Sequence, residues 1–321
     1  MLLNILYIII GVALVLWGAD RLTDGAVGLA AKMNIPQIVI GLTVVAMGTS
    51  MPEFFVSLVS AINGTPDLAV GNVVGSNIFN TMLIVGTAAV VAPMVISKST
   101  VKKDIPFAVL ASVLLFIFGI DNFISRFDAA ILAVVFVVFM VYTVRTGIKG
   151  AAEAKQDSDS DASNAKKPLP IWKAILFVLV GLACLVFGSN LFVNAATEVA
   201  TELGVSQAII GLTIVAGGTS LPELATSVVA ARKGESAIAM GNVIGSNVMN
   251  ILMIIGITGV ICPMQVNGIT MIDLSVLLVS VVLLWLFSFT KYKVERWEGA
   301  LLLTFFAGYM SWLIYCASLQ S

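Results

Sequence analysis

The chain has 321 residues, of which 59% are hydrophobic and 11% charged, with a formal net charge of −1 and no histidine. Soluble globular chains carry about 25% charged residues, so an ordinary soluble enzyme is excluded, as is a disordered chain, which needs low hydrophobicity and high net charge. The near-zero charge leaves no footprint for nucleic acid, and the missing histidines remove the commonest transition-metal ligand and the usual titrating group near neutral pH.

Long unbroken apolar runs, rather than alternating segments of about 10 residues, argue against an outer-membrane barrel. They predict an all-α polytopic membrane protein. A spanning helix needs about 20 mostly apolar residues. Ten transmembrane helices are expected, near 3–30, 36–61, 68–92, 105–120, 127–146, 171–198, 206–231, 237–262, 270–289 and 298–318. The first has no basic segment before it, as a cleaved signal would, and reads as a retained helix. The chain then divides into a first half at 1–146, a linker at 147–170 and a second half at 171–321. The acidic run Asp157–Asp161 lacks the glycine and distal glutamate of a calcium loop and reads as part of a soluble linker. Cys184, Cys262 and Cys316 sit in apolar stretches and read as small buried hydrophobes.

Assigning each basic residue to a side of the membrane gives a sharp bias. Sixteen of the seventeen fall in loops after odd-numbered spans, and only Arg126 falls opposite. The positive-inside rule then places both termini outside and the 147–170 loop in the cytoplasm.

The sequence repeats itself at an offset of 170 residues. The 46-residue segments starting at Gly41 and Gly211 align without a gap and share 24 identities. Upstream, Gly11 and Gly18 align with Gly181 and Gly188, and Gln37 with Gln207. Each copy holds five spans. Five is odd, so the second copy enters the membrane from the opposite face, giving two inverted five-helix repeats. That arrangement is a signature of transporters, with the substrate near the midplane.

The second span carries Gly48-Thr49-Ser50-Met51-Pro52-Glu53, and the seventh carries Gly218-Thr219-Ser220-Leu221-Pro222-Glu223. A charge at mid-membrane costs at least about 2.5–3.5 kcal/mol, and the chain accepts that cost twice at equivalent positions. No basic residue is at hand at that depth. Helical spacing puts Thr49, Ser50 and Ser57 on the face of Glu53, and Thr219, Ser220 and Ser227 on the face of Glu223. Pro52 and Pro222 crowd the carbonyls of Gly48 and Gly218, which then need another partner. Ser57 and Ser227 are equally readable as bonding their own helix backbone.

The third and eighth spans carry Gly71-Asn72-Val73-Val74-Gly75-Ser76-Asn77-Ile78-Phe79-Asn80 and Gly241-Asn242-Val243-Ile244-Gly245-Ser246-Asn247-Val248-Met249-Asn250. Asn72, Ser76 and Asn80 form a polar stripe. The glycines suit close helix packing, Asn77 and Asn247 suit interhelical bonding, and Asn72 and Asn242 are expected as helix caps. The other acids, among them Asp20, Asp24, Asp67 and Asp273, read as interfacial groups.

The candidate ligands are all oxygen, which disfavours soft metals. Ca²⁺ takes 6–8 mixed oxygens in flexible geometry, whereas Mg²⁺ dehydrates reluctantly. Two glutamates are neutralised by one Ca²⁺ or two Na⁺. Mutual exclusion at the carboxylate pair is then enough to couple the two ions.

The paired G-T-S-x-P-E and G-N-x-x-G-S-N-x-x-N segments resemble the two α-repeats of the cation/calcium exchanger superfamily, and most resemble compact prokaryotic sodium/calcium exchangers. The resemblance implies alternating access, with the first and sixth helices sliding against the other eight. It implies metal ligation by Thr49, Ser50, Glu53, Ser76 and Asn80 with Thr219, Ser220, Glu223, Ser246 and Asn250, and by the carbonyls of Ala46 and Ala216. Some members carry aspartate at the position of Asn80 or Asn250. This chain has two carboxylates there, not three.

The function expected is a secondary active antiporter exchanging Ca²⁺ for Na⁺. A H⁺/Ca²⁺ antiporter using the same glutamates and a passive cation channel are the alternatives. A hydrolase is disfavoured because Ser50 and Ser220 have no histidine or placed lysine as base, so no enzyme activity is expected. No cofactor is implied beyond the transported Ca²⁺ and Na⁺, and the partners expected are inorganic cations and the lipid bilayer, with no obligatory protein partner. The location expected is a plasma membrane of bacterial inner-membrane type.

Overall fold

A computed structural model describes residues 1–157, 169–204, 216–266 and 268–320. The centre of the predicted linker and the start of the predicted seventh span, including Gln207 and Gly211, lie outside the described residues. Among the described residues the elements are helices and four two-residue strands. The helices are α1 (Leu2–Met33), α2 (Gln37–Thr49), α3 (Met51–Ile62), α4 (Pro66–Val91), α5 (Ile105–Phe118), α6 (Arg126–Asp157), α7 (Ile171–Glu202), α8 (Ala216–Thr219), α9 (Leu221–Arg232), α10 (Ser236–Ile261), α11 (Met271–Phe289) and α12 (Arg296–Gln320). Among the described residues seven helices are long and apolar enough to cross a membrane, and α2 with α3 forms an eighth, bent by 47°. The predicted span at 105–120 becomes the 14-residue α5, extended at its start by a π-helical turn at Thr100–Asp104. Helix α6 runs on past 147 into the predicted linker, as far as Asp157. Lys, Ala and Glu in that stretch are good helix formers, so the helix does not stop where its apolar stripe stops.

Burial orders the helices. The apolar windows of α10 and α4 are 83% and 72% buried, whereas those of α6 and α12 are 22% and 11% buried. The polar motif helices therefore occupy the middle, and the uniformly apolar ones face outward, as Phe127 and Phe187 do.

Two seams fix this arrangement. Along α1, Gly11, Gly18 and Gly25 meet the backbones of Gly188, Gly181 and Ala174 on α7. The ascending numbers on one helix meet descending numbers on the other, so α1 and α7 run antiparallel. A Cβ on Gly18 would lie 2.8 Å from the Gly181 carbonyl oxygen. Only glycine permits that approach. In the centre, Gly241 and Gly245 on α10 bring its backbone against Ile38 and Leu42 of α2.

The ends are closed by short devices. Gly64 and Gly234 adopt φ of +79° after α3 and α9. In both, the next residue's N–H returns to a carbonyl inside the helix, Thr65 to Ser60 and Glu235 to Ala230, which is the left-handed glycine termination of a helix. Met94–Val95 pairs antiparallel with Lys293–Val294, and Phe123–Ile124 pairs with Met264–Gln265. Each ribbon ties the first half of the chain to the second.

Candidate functional site

Proline fixes the local break. Pro52 and Pro222 lie in the first turns of α3 and α9, after Ser50 (φ −86°, ψ 5°) and Ser220 (φ −90°, ψ 7°). Each glutamate then sits in the first turn of a helix that starts in the middle of the molecule. There the unpaired N–H groups and helix dipole favour negative charge. Glu53 and Glu223 are both fully buried. Neither forms a salt bridge among the described residues.

The two halves interdigitate at this point. Ser50 Oγ donates to Glu223 Oε1 at 3.0 Å, and Ser220 Oγ donates to Glu53 Oε1 at 3.2 Å. Each carboxylate is thus served by the serine from the other half. Ser220 also lies 3.3 Å from Ser76. Thr219 reaches the Glu53 carboxylate, and Thr49 and Ser246 lie beside that of Glu223. The structure therefore brings together eight of the expected ligands, six hydroxyl side chains around two carboxylates.

Asn80 and Asn250 are also buried, within π-helical segments Phe79–Ile84 and Met249–Ile255 of α4 and α10. Such segments recur at functional sites because they aim a side chain off the regular helical register. Both amides have neither oxygen nor nitrogen partnered among the described residues, and the same is true of Glu53 Oε2 and Glu223 Oε2. Buried polar atoms are rarely left so. Unpartnered carboxylate and amide oxygens in a buried centre are the donor set a hard cation takes. Among the described residues no group of three or more His, Cys, Asp or Glu side chains is placed to hold a metal ion, and the side chains bonded to the two carboxylates are neutral hydroxyls.

Of the two carbonyls that proline crowds, that of Gly218 finds its other partner on α7. Gly218 O, freed by Pro222, accepts the Ser189 hydroxyl of α7 at 2.6 Å. Ala46 O accepts the Ser50 N–H and lies 3.3 Å from the Thr49 hydroxyl oxygen. Ala216 opens α8.

Asn72 and Asn242 are not caps. They lie well inside α4 and α10, where Thr65 and Glu235 hold the N-cap positions. Each side chain braces the neighbouring broken helix. Asn72 Nδ2 donates to the Glu53 carbonyl and Ser57 Oγ, and Asn242 Nδ2 donates to the Glu223 carbonyl and Ser227 Oγ. Ser57 in turn donates to the Ala69 carbonyl on α4 rather than to its own helix. Asn247 bonds Thr81 across helices, while Asn77 bonds Val73 on its own. Of the interfacial acids, Asp67 accepts the Gly268 N–H, and Asp273 forms a capping box with Thr270.

Comparison with known proteins decides the family. The family described as sodium/calcium exchanger protein matches this chain twice, over residues 3–145 and 173–315. The chain belongs to the sodium/calcium exchanger family. It is 38% identical over 313 residues to the putative antiporter CaxA of Alkalimonas amylolytica, covering 96% of this chain and 98% of that one. It is 36% identical over 317 residues to the inner membrane protein YrbG of Escherichia coli, covering 98% and 96%. Its fold matches that of the sodium-calcium exchanger NCX_Mj with a TM-score of 0.84 at 30% identity, over 97% of this chain and 98% of that one. As an exchanger-family chain it is a membrane protein of a transporter family, not of an enzyme family.

Proposed function

We propose that this exchanger moves Ca²⁺ against Na⁺ by alternating access to one central site formed by Glu53 and Glu223 with Thr49, Ser50, Ser76, Asn80, Thr219, Ser220, Ser246 and Asn250. The observation that carries the reading is the pair of fully buried carboxylates, each with an oxygen unpartnered among the described residues and no cationic side chain bonded to it. Two adjacent carboxylates in a buried centre repel unless a cation lies between them. One Ca²⁺ or two Na⁺ cancel the charge equally, so occupancy by one ion excludes the other. The structural match to NCX_Mj, a sodium-calcium exchanger, supports Na⁺ as the partner ion.

The architecture in this reading is ten spans in two inverted halves. The α2–α3 pair counts as one span, α8 with α9 as its counterpart, and α5 as a short fourth. The antiparallel α1–α7 seam supports the inversion. The charge bias supports cytoplasmic placement of the loop after α6, with both termini outside. The location proposed is the inner membrane, where the relative YrbG is placed by its name.

The test loads inside-out vesicles with Na⁺ and follows radiolabelled Ca²⁺ against its gradient. Uphill Ca²⁺ movement driven by the Na⁺ gradient alone is expected. Uphill movement only under an imposed pH gradient overturns Na⁺ coupling in favour of H⁺. No uphill movement under either gradient overturns exchange in favour of a passive channel.

A further inference from the structure

Three helices meet at the Asn242 side chain, which is fully buried. Its Nδ2 lies 3.3 Å from the Glu223 carbonyl and 3.0 Å from Ser227 Oγ, both on α9. Its Oδ1 lies 3.0 Å from Thr49 Oγ1 on α2. Elementary chemistry fixes the direction of every bond. A carbonyl can only accept, so the amide edge facing Glu223 is the NH₂ edge. The opposite edge is then oxygen and can only accept. Thr49 must therefore be the donor.

A hydroxyl that binds a cation has to point its one proton elsewhere. Thr49 has three acceptors near it: Asn242 Oδ1, the Ala46 carbonyl at 3.3 Å and the Glu223 carboxylate. The charged carboxylate is the strongest acceptor of the three. A proton given to it would occupy an oxygen the cation needs.

We propose that Asn242 is a positioning residue for the cation site: it takes the Thr49 proton and so leaves both the Thr49 oxygen and the Glu223 carboxylate turned to the ion. The inference rests on the exchanger reading of that site. It makes the α10 amide, which does not itself touch the cation, responsible for the polarity of a ligand on another helix. Asn72 has the same orientation on its own half, because Ser57 spends its proton on Ala69 and accepts from Asn72.

The test is equilibrium binding of radiolabelled Ca²⁺ to the purified full chain, beside flux in vesicles. Asn242→Ala should raise the half-saturating Ca²⁺ concentration about tenfold, the scale of one net hydrogen bond, and leave maximal flux within about twofold. Thr49→Val removes the hydroxyl, and in that background Asn242→Ala should add less than about threefold, because the two act as one unit. The same tenfold shift in both backgrounds, or a fall in maximal flux with unchanged half-saturation, overturns the inference in favour of a packing role. If Asn242→Ala does not fold, Asn242→Ser carries the same test, since its short side chain does not span from Glu223 to Thr49. Wild-type chain that binds no Ca²⁺, or Glu223→Gln chain that binds it normally, sinks the site itself. A silent Asn242→Ala beside a dead Glu223→Gln sinks only the positioning role.

Discussion

At the scale of single residues, Glu53 and Glu223 carry charge that no other described residue of the buried centre replaces. Glu53→Gln and Glu223→Gln keep size and hydrogen-bonding capacity but remove one of the two charges. Each should abolish Ca²⁺ flux, measured per unit of folded protein, and normal flux in both would refute the site. Asn80→Asp tests the reverse. It adds a third carboxylate where an amide now has no partner among the described residues, so Ca²⁺ should bind tighter and leave more slowly, with lower half-saturation and lower maximal flux. These residues were legible in the sequence because a mid-membrane charge is costly enough to need a reason. Asn72 and Asn242 were misread because a cap and a brace are the same residue until the helix start is known, and the starts lie at Pro66 and Ser236. Ser189 left no signal at all. Its counterpart one repeat earlier is Ala19, so the doubling that exposed the rest of the site is silent there.

At the scale of elements, glycines do two separable jobs, and substitution should separate them. Gly181 lies where a Cβ would stand 2.7 Å from Leu22 N and 2.8 Å from Gly18 O. Both are backbone atoms, so α1 and α7 must part. Gly181→Ala should lower stability by roughly 1–3 kcal/mol, the usual cost of overpacking, read as a fall in melting temperature of the detergent-purified chain. Gly234 has open space around it but φ of +79°. Gly234→Ala should cost only about 1–2 kcal/mol of backbone strain, without disturbing the helix pair. Equal spacing between α1 and α7 in both variants, measured by cross-linking, would contradict this division. The seam was legible because Gly11 and Gly18 recur as Gly181 and Gly188. The π-helical segments were not, since a π turn adds one residue to a helical turn without requiring any particular side chain. The two-residue ribbons were equally hidden, being too short to show alternation.

At the scale of the whole molecule, the doubling is faithful in the centre and broken at the rim. Lys233, in the turn between α9 and α10, bonds Asp20 Oδ1 and Asp24 Oδ1 of α1, both at 2.7 Å, and Arg21 pairs with Asp20 at 2.6 Å. One repeat later the positions of Asp20, Arg21 and Asp24 hold Asn190, Leu191 and Asn194, and the position equivalent to Lys233 in the first half holds Asn63. The charges that tie α1 to the α9–α10 turn at one edge therefore have no counterpart at the repeat-equivalent positions of the other. Under the alternating access proposed above, with α1 and α7 moving against the remaining helices, the tied edge should favour the arrangement described here over its mirror state. The ties are partly exposed, so each is worth roughly 0.2–1 kcal/mol. Lys233→Met should accordingly change the ratio of initial exchange rates in inside-out and right-side-out vesicles by about two- to fivefold. The effect should fade in about 1 M choline chloride, where the Debye length shrinks to about 3 Å, while Ca²⁺ half-saturation stays put because the site is untouched. An unchanged ratio at low salt would mean that the charged edge holds the helix without weighing the two states.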